Sequence, residues 1–271
     1  LVNREPSMAE RVQSFYDALA PHYHLIFDDW DRSIERQASV LGPLLESCTG
    51  RTPMKILDCA CGIGTQAIGL AALGHRVVAS DISRAAVDRS RQEARRRSLD
   101  ISFRVSDMTS LGEIVEDDFD AVVAMDNALP HLEPAELRQA AGVIAAKLRQ
   151  GGVFLAGIRD YDVLVREKPA FERPKFHGEP GNRRIVHQVW DWVAGDRYIV
   201  HLYITVQADG AWTAHHFASQ YRCLLRKELS ALLRDGGFGE VEWLMPAETG
   251  LYQPVVLARL GARAGTGLDV N

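Results

Sequence analysis

Between Met54 and Ile158 the chain alternates short apolar runs with helix-spaced segments, and the runs are apolar at nearly every position. "MKILDCA", "HRVVASD", "DISFRVSD", "FDAVVAMD" and "VFLAGI" read as strands. A strand with one face in water alternates apolar and polar side chains, whereas a strand covered on both faces does not need to. Between them lie "TQAIGLAALG", stopped by Gly74, "SRAAVDRSRQEARRRS", capped at Ser83, and "EPAELRQAAGVIAAKLRQGG", with Pro134 at its start. These carry the end signals of helices. The chain is therefore expected to be α/β, a doubly wound, mostly parallel sheet of seven strands with helices on both faces. The last two strands are "EVEWLM" and "PVVLAR", which follow a helix in "RKELSALLRDGGF".

Outside this core the rhythm changes. Residues 8–47 show helical spacing through Phe15, Leu19, Ile26, Phe27, Trp30, Ile34, Leu41, Leu44 and Leu45, broken near Pro21. Residues 159–182 read as a loop, with Pro169, Pro174, Pro180 and Gly181. Residues 183–222 read as three antiparallel β-segments joined by "AGD" and "ADG" turns, with Tyr198, Val200, Leu202, Ile204 and Val206 on one face. The expected organisation is a helical segment at 1–50, the core at 51–158 and an antiparallel β-ribbon insertion at 159–222. The helix and closing strands of the core occupy 223–262, and a Gly-rich, frayed tail 263–271.

Charge narrows the function classes. The 31 basic and 36 acidic side chains leave a net charge of −5, without the basic footprint of a nucleic-acid binder. The run of Arg89, Arg91, Arg95, Arg96 and Arg97 fits a solvated helix face. Cys59 and Cys61 lie at a buried strand end, and no second Cys/His pair follows at zinc-like spacing, so no metal site is expected. The start lacks the apolar core of a secretory leader, and no run is long enough to span a membrane. The expected setting is cytoplasmic, without membrane contact.

The chemistry concentrates in "LDCACGIGT". Gly62 and Gly64 allow a tight turn whose N–H groups approach a ligand at a helix start. With Ala67 the run is formally G-x-G-x-x-A, compatible with a dinucleotide fingerprint, and Asp81 suits the ribose in either case. What separates the readings is Asp58 before the glycines and the way later strands end: Asp81, Asp107 and Asp126–Asn127 close three successive strands. In an open parallel sheet those ends line the ligand crevice.

The ordered set "ILDCACGIGT", "VVASD", "RVSDM", "FDAVVAMDNALPHL" and "LRQGGVFLAGI" resembles the class I S-adenosylmethionine-dependent methyltransferases. The resemblance implies S-adenosylmethionine as cofactor. It places Asp58, Ala60, Gly62 and Gly64 on the methionine side, Asp81 and Ile82 on the ribose, and Asp107 and Met108 on the adenine. Met125 and Asn127 close the set. It also makes residues 1–50 a lid over the cofactor, although a plain amphipathic helix pair would look the same. A hydride-transferring dehydrogenase is the displaced reading of the glycine turn.

"DNALPHL", "GIRDYD" and "YIVHLYITVQ" further resemble the glycine and glycine/sarcosine N-methyltransferase branch. That likeness implies Arg159 as the anchor of a substrate carboxylate, Asn127 at the transfer site and Tyr221 on the return strand. Asp160 departs from the branch, which has asparagine there, and it adds negative charge beside the anchor. The branch's N-terminal tyrosines have no clear match in Tyr16 or Tyr23. His131 is either a proton acceptor or a hydrogen-bonded helix-start residue. Tyr161 either packs its loop or faces substrate. Trp190 and Trp192 share one face and either pack, as aromatic rows on ribbons mostly do, or line a wider pocket.

The expected function is methylation of a small-molecule acceptor, N-methylation of an amino acid or related amine before all. O- or C-methylation of a larger aromatic acceptor is the alternative, and a non-catalytic cofactor-binding partner subunit the distant one. Homo-oligomerisation is compatible with all three. Asn127-Ala128-Leu129-Pro130 lacks the aromatic that would clamp a flipped base, so nucleic acid is not the expected acceptor.

Overall fold

The computed structural model describes residues 4, 6–193 and 195–261. The tail read at 263–271 lies outside them. Two helices lead, α1 (Met8–Leu19) and α2 (Trp30–Thr49), with a 3₁₀ turn at Tyr23–Ile26 between them. Ser7 and Glu10 form a reciprocal capping box at the start of α1, and Asp29 caps α2 by accepting from the Arg32 N–H at 3.0 Å. The core then follows as β1 (Lys55–Asp58), α3 (Thr65–Ala72), β2 (Arg76–Asp81), α4 (Arg84–Arg96), β3 (Ser102–Val105), β4 (Phe119–Ala124), α5 (Pro134–Lys147) and β5 (Leu148–Gly157). Every residue of β4 is buried, as the unbroken apolar run requires of a central strand.

After the core come α6 (Tyr161–Glu167), β6 (Phe171–His177), β7 (Arg184–Trp192), β8 (Arg197–Ala208) and β9 (Ala211–Arg222). The chain returns through α7 (Arg226–Asp235), β10 (Phe238–Leu244), α8 (Pro246–Thr249) and β11 (Val255–Leu260). The main sheet has seven strands in the order β10-β11-β5-β4-β1-β2-β3, and β11 alone runs against the others. Connections leave β1 in one direction through β2 and β3, and the chain then returns to β4 on its other side. That reversal opens a crevice at the carboxyl ends of β1 and β4, where Asp58 and Asp126 sit.

Two expectations change. Residues 159–182 are not a loop: they hold α6 and β6, so the insertion is a four-stranded sheet, β6-β7-β8-β9, rather than three segments. Pro174 is tolerated because β6 is an edge strand and its register with β7 shifts between Glu172 and Lys175, where no ladder N–H is needed. The helix at 133–152 stops at Lys147, and Gly151 and Gly152 belong to β5. A side chain at Gly152 would meet the Phe119 carbonyl oxygen at 3.0 Å, so this glycine serves close strand approach, not helix termination.

The β8–β9 turn is the expected Asp-Gly hairpin, with Asp209 and Gly210 both at positive φ, 51° and 78°. The inner face of the small sheet buries Val186, Trp190, Tyr198, Val200, Leu202 and Ile204. Against it α1 packs Phe15 and Leu19, forming a separate apolar cluster with Val186, Leu202 and Ile204. The other side of α1 reaches the main sheet, where the Asp17 carboxylate accepts from the Ser83 hydroxyl at 2.6 Å and the Ala85 N–H at 3.1 Å. So α1 bridges both sheets across the crevice. No helix among the described residues is long and apolar enough to cross a membrane.

Candidate active site

The glycine turn is held from below. Gly62 (φ 51°) donates its N–H to Asp81 Oδ2 at 2.9 Å, while Asp81 Oδ1 accepts from the Ser83 N–H at 2.9 Å. The ends of β1 and β2 are thereby tied by one carboxylate. Gly64 (φ 96°) starts α3. Neither Gly64 nor Asp58 lines the cavity above the turn. Asp58 is fully buried behind it, with Oδ1 accepting from the Ala60 N–H at 3.3 Å. Burial, with Asp81 and Asp126 nearby, pushes its carboxyl up to about 8.

The cavity over the turn is lined by Ala60, Gly62, Asp81, Ile82, Asp107, Met108 and Met125, seven of the residues assigned to the cofactor. Asn127, assigned to it as well, lies outside. Asp81, Asp107, Asp126 and Glu136 line this cavity, and no lysine or arginine does among the described residues. Such a wall repels a pyrophosphate and suits a ligand that carries positive charge. Acids on the ribose and base sides flanked by Ile82 and Met108 fit a nucleoside. As α1 lies, with Met8 and Val12 over the opening, the space is narrow, about 80 Å³.

A second, larger cavity of about 820 Å³ abuts the first, and Tyr16, Tyr23 and Asp126 line both. Arg159, Asn127, Trp190 and Tyr221 line only the larger one. The half-buried Arg159 donates from Nη1 to the Tyr198 hydroxyl at 2.8 Å and from Nη2 to Gln188 Oε1 at 3.0 Å. Its guanidinium carbon stands 4.8 Å from the Trp190 ring centre and 5.5 Å from that of Tyr221. Burial opposes its charge, but the Tyr198, Tyr161 and Tyr221 side chains outweigh that and its pKa is raised.

The Asp160 carboxylate beside this anchor turns to Arg226 Nη1 at 2.6 Å, a cation it shares with Asp162, whose Oδ2 lies 3.4 Å from Arg226 Nε.

Asn127 is oriented by donors that cannot reverse. The Arg159 backbone N–H reaches Asn127 Oδ1 at 3.0 Å, which fixes that atom as oxygen, and the Tyr161 hydroxyl donates to it at 3.1 Å. An arginine only donates and this oxygen only accepts, so the chain Arg159–Tyr198–Tyr161–Asn127 carries its hydrogens in one direction. Tyr161 is therefore fully buried in this relay, not free toward a ligand. Asn127 Nδ2 is buried without a partner among the described residues.

His131 lies at the edge of the cofactor-side cavity, its Nε2 3.0 Å from the Tyr16 hydroxyl and its ring 4.2 Å from that of Tyr221. Burial, and then the Arg159 charge, push its pKa down to about 4. It is neutral at physiological pH, a hydrogen-bond partner and a poor base. The unfolded chain binds a proton near pH 6.5, whereas the folded one does not until about 4. Stability therefore falls as pH drops through that window, by about 2 kcal/mol between pH 7 and 5. Urea unfolding of wild type and His131→Gln should show this excess acid loss in wild type only. A difference that does not vary with pH would mean that the folded imidazole titrates normally.

Several residues of the site carried no signal of their own. Gln66 donates to Gln37 Oε1 at 2.7 Å and to Asp126 Oδ2 at 2.8 Å, while the Tyr252 hydroxyl reaches Asp126 Oδ1 at 2.6 Å. Tyr16 and Tyr23, unmatched by motif, reach both cavities. Gln188 and Tyr198 hold Arg159. For Tyr198 the period-2 pattern already marked the inward face.

Comparison with known proteins bears on the family and the fold. A family model described as a methyltransferase domain matches residues 56–152. A glycine/sarcosine N-methyltransferase of Parasynechococcus marenigrum is 28% identical over 148 residues, 54% of this chain and 51% of that protein. A 2-heptyl-1-hydroxyquinolin-4(1H)-one methyltransferase of Mycobacteroides abscessus is 27% identical over 189 residues, 68% and 78% respectively. The alignment to the first of these thus spans about half its length. Among solved structures, the S-adenosylmethionine-bound amino pentose methyltransferase CalS10 of Micromonospora echinaspora superposes with a TM-score of 0.70 at 18% identity, over 89% of this chain and 95% of that one. That likeness is one of fold.

Proposed function

We propose that this chain is an S-adenosylmethionine-dependent methyltransferase of class I that methylates a small molecule, an amine or amino acid before other acceptors. The observation that carries the reading is the pair of abutting cavities. One is walled by four carboxylates over a glycine turn, the other holds an arginine, and they meet at Tyr16, Tyr23 and Asp126. When bound, S-adenosylmethionine supplies an electrophilic methyl group on a positively charged sulfur.

The protein's part is placement. Asp81 and Asp107 hold the nucleoside, with Ile82 and Met108 against the base. Met125 and the Ala60–Gly62 turn hold the amino-acid end, with Asp58 and Gly64 shaping that turn from behind. Arg159 binds a negative or polar group of the acceptor, the unpartnered Asn127 Nδ2 orients it, and Tyr221 and His131 wall the junction. Residues 1–50 act as the lid that excludes water, and residues 159–222 as the acceptor subdomain. An amine brings its own lone pair and needs no strong base, and His131, held near 4, does not supply one.

The test is transfer of labelled methyl from S-adenosylmethionine to two acceptor panels, amino acids with small amines, and aromatic or heterocyclic metabolites. Turnover of an amine supports the reading. Turnover restricted to hydroxyl or carbon acceptors removes the N-methylation part. Failure to bind S-adenosylmethionine or S-adenosylhomocysteine removes the whole reading.

A further inference from the structure

The cavity beside Arg159 is far larger than a glycine-sized acceptor requires. At about 820 Å³ it is in the range of sites that enclose drug-sized ligands, roughly 300–1,000 Å³. Its walls are mostly apolar or aromatic: Phe15, Leu19 and Phe27 from the N-terminal helices and the turn between them, and Trp190, Val200 and Leu202 from the small sheet. Water in such a space gains few hydrogen bonds, and an apolar body that displaces it is favoured in proportion to the area covered.

The charges around the cavity sort themselves by pairing. Asp160 meets Arg226 at 2.6 Å, which Asp162 shares at 3.4 Å, and Glu172 meets Lys175 at 3.0 Å. Asp126 accepts from the Gln66 amide on one oxygen and from the Tyr252 hydroxyl on the other. Arg36 is exposed at the rim. Arg159 remains, a half-buried cation whose partners are neutral: a hydroxyl, an amide oxygen and two aromatic faces. A half-buried guanidinium that no carboxylate meets among the described residues gains most from an anionic group delivered by a ligand.

We infer that the acceptor is a bulky, largely apolar, ring-bearing molecule with one anionic group. The anion meets Arg159 between Trp190 and Tyr221, and the apolar body fills the space between α1 and the small sheet. This rests on the methyltransferase reading for the acceptor's role, but the binding it foresees can be measured without turnover. The expectation departs from an acceptor as small as glycine, toward which the motif likeness pointed.

Calorimetric titration with benzoate, biphenyl-4-carboxylate, biphenyl-4-carboxamide and glycine decides it, run with and without saturating S-adenosylhomocysteine. Biphenyl-4-carboxylate is expected to bind at least about tenfold tighter than benzoate, because the second ring is buried. It should also bind at least about tenfold tighter than the carboxamide, which lacks the charge for Arg159. Val163→Trp, which narrows the cavity from α6, should abolish biphenyl binding and leave S-adenosylhomocysteine binding unchanged. Equal binding of the carboxylate and carboxamide would overturn the anion, and benzoate or glycine matching the biphenyl acid would overturn the size. Absent S-adenosylhomocysteine binding would instead sink the cofactor reading, while the titrations run without it still decide the acceptor class.

Discussion

Arg159→Met is expected to reduce kcat/KM for the acceptor by roughly 10²- to 10³-fold, because removing one partner of an enclosed, hydrogen-bonded charge pair costs about 3–4 kcal/mol. The affinity for S-adenosylhomocysteine should stay within about twofold of wild type, an expectation from additivity at sites without shared partners. Arg159 does not line the cofactor-side cavity. Methionine keeps an apolar stem against Trp190 and Tyr221 and removes only the donors and the charge. Arg159→Lys should recover little. Its ammonium cannot reach the Tyr198 hydroxyl, Gln188 Oε1 and a ligand anion in the fork geometry that the guanidinium uses. Steady-state kinetics with the acceptor found in the panel, beside calorimetry for the cofactor side, separates the two effects. If both substitutions left kcat/KM intact, Arg159 would be a structural cation holding Tyr198, and the acceptor would bind elsewhere in the cavity. If cofactor affinity fell in parallel, the two cavities would be coupled through Tyr221, whose ring lies against both the Arg159 guanidinium and His131.

The sheet was legible because buried parallel strands must be apolar throughout and their ends must turn. β1, β2, β3 and β4 all appear within the runs quoted for them, β5 starts five residues ahead of its run, and the Gly62–Gly64 turn stands where those ends open. Pro174 misled because proline argues against a strand only where a ladder N–H is required, and an irregular edge strand does not require one.

The site was legible in its acids and glycines, which motif position fixes. It was illegible in its pairing, which depends on partners distant in sequence. Asp160 looked like an extra charge until Arg226, 66 residues on, was seen to take it. Trp190 posed a choice between core and pocket that the structure dissolves. It is buried at 7% exposure and also walls the large cavity, with its Nε1 donating to the same Gln188 Oε1 that holds Arg159. Nothing in the spacing of Gln66, Gln188 or Tyr252 singles them out, because a lone polar residue gains meaning only from what lies opposite it.

Gly64→Ala is expected to be strongly destabilising for the substitution of a single hydrogen by a methyl group. The residue sits at φ 96°, ψ 19°, a left-handed conformation that costs an L-residue roughly 1–2 kcal/mol. The added Cβ would lie 2.3 Å from Ser90 Oγ and 3.0 Å from Ile68 Cδ1, and Ser90 is fully buried on α4. Overpacking of that kind adds about 1–3 kcal/mol. Together these give a loss of about 2–5 kcal/mol and a fall in Tm on the order of 10 °C.

Gly62→Ala separates stability from binding. Its φ is 51°, and a Cβ there meets only the Tyr23 ring, at 3.4 Å, on the cavity side. It should therefore weaken S-adenosylhomocysteine binding more than it lowers Tm. The double variant Gly64→Ala/Ser90→Ala removes the closest contact without a helix penalty and should regain part of the lost stability, leaving the Ile68 contact and the backbone strain. Thermal unfolding with and without S-adenosylhomocysteine checks all three. A Gly64→Ala protein with wild-type Tm would mean that α3 and α4 move apart at no cost.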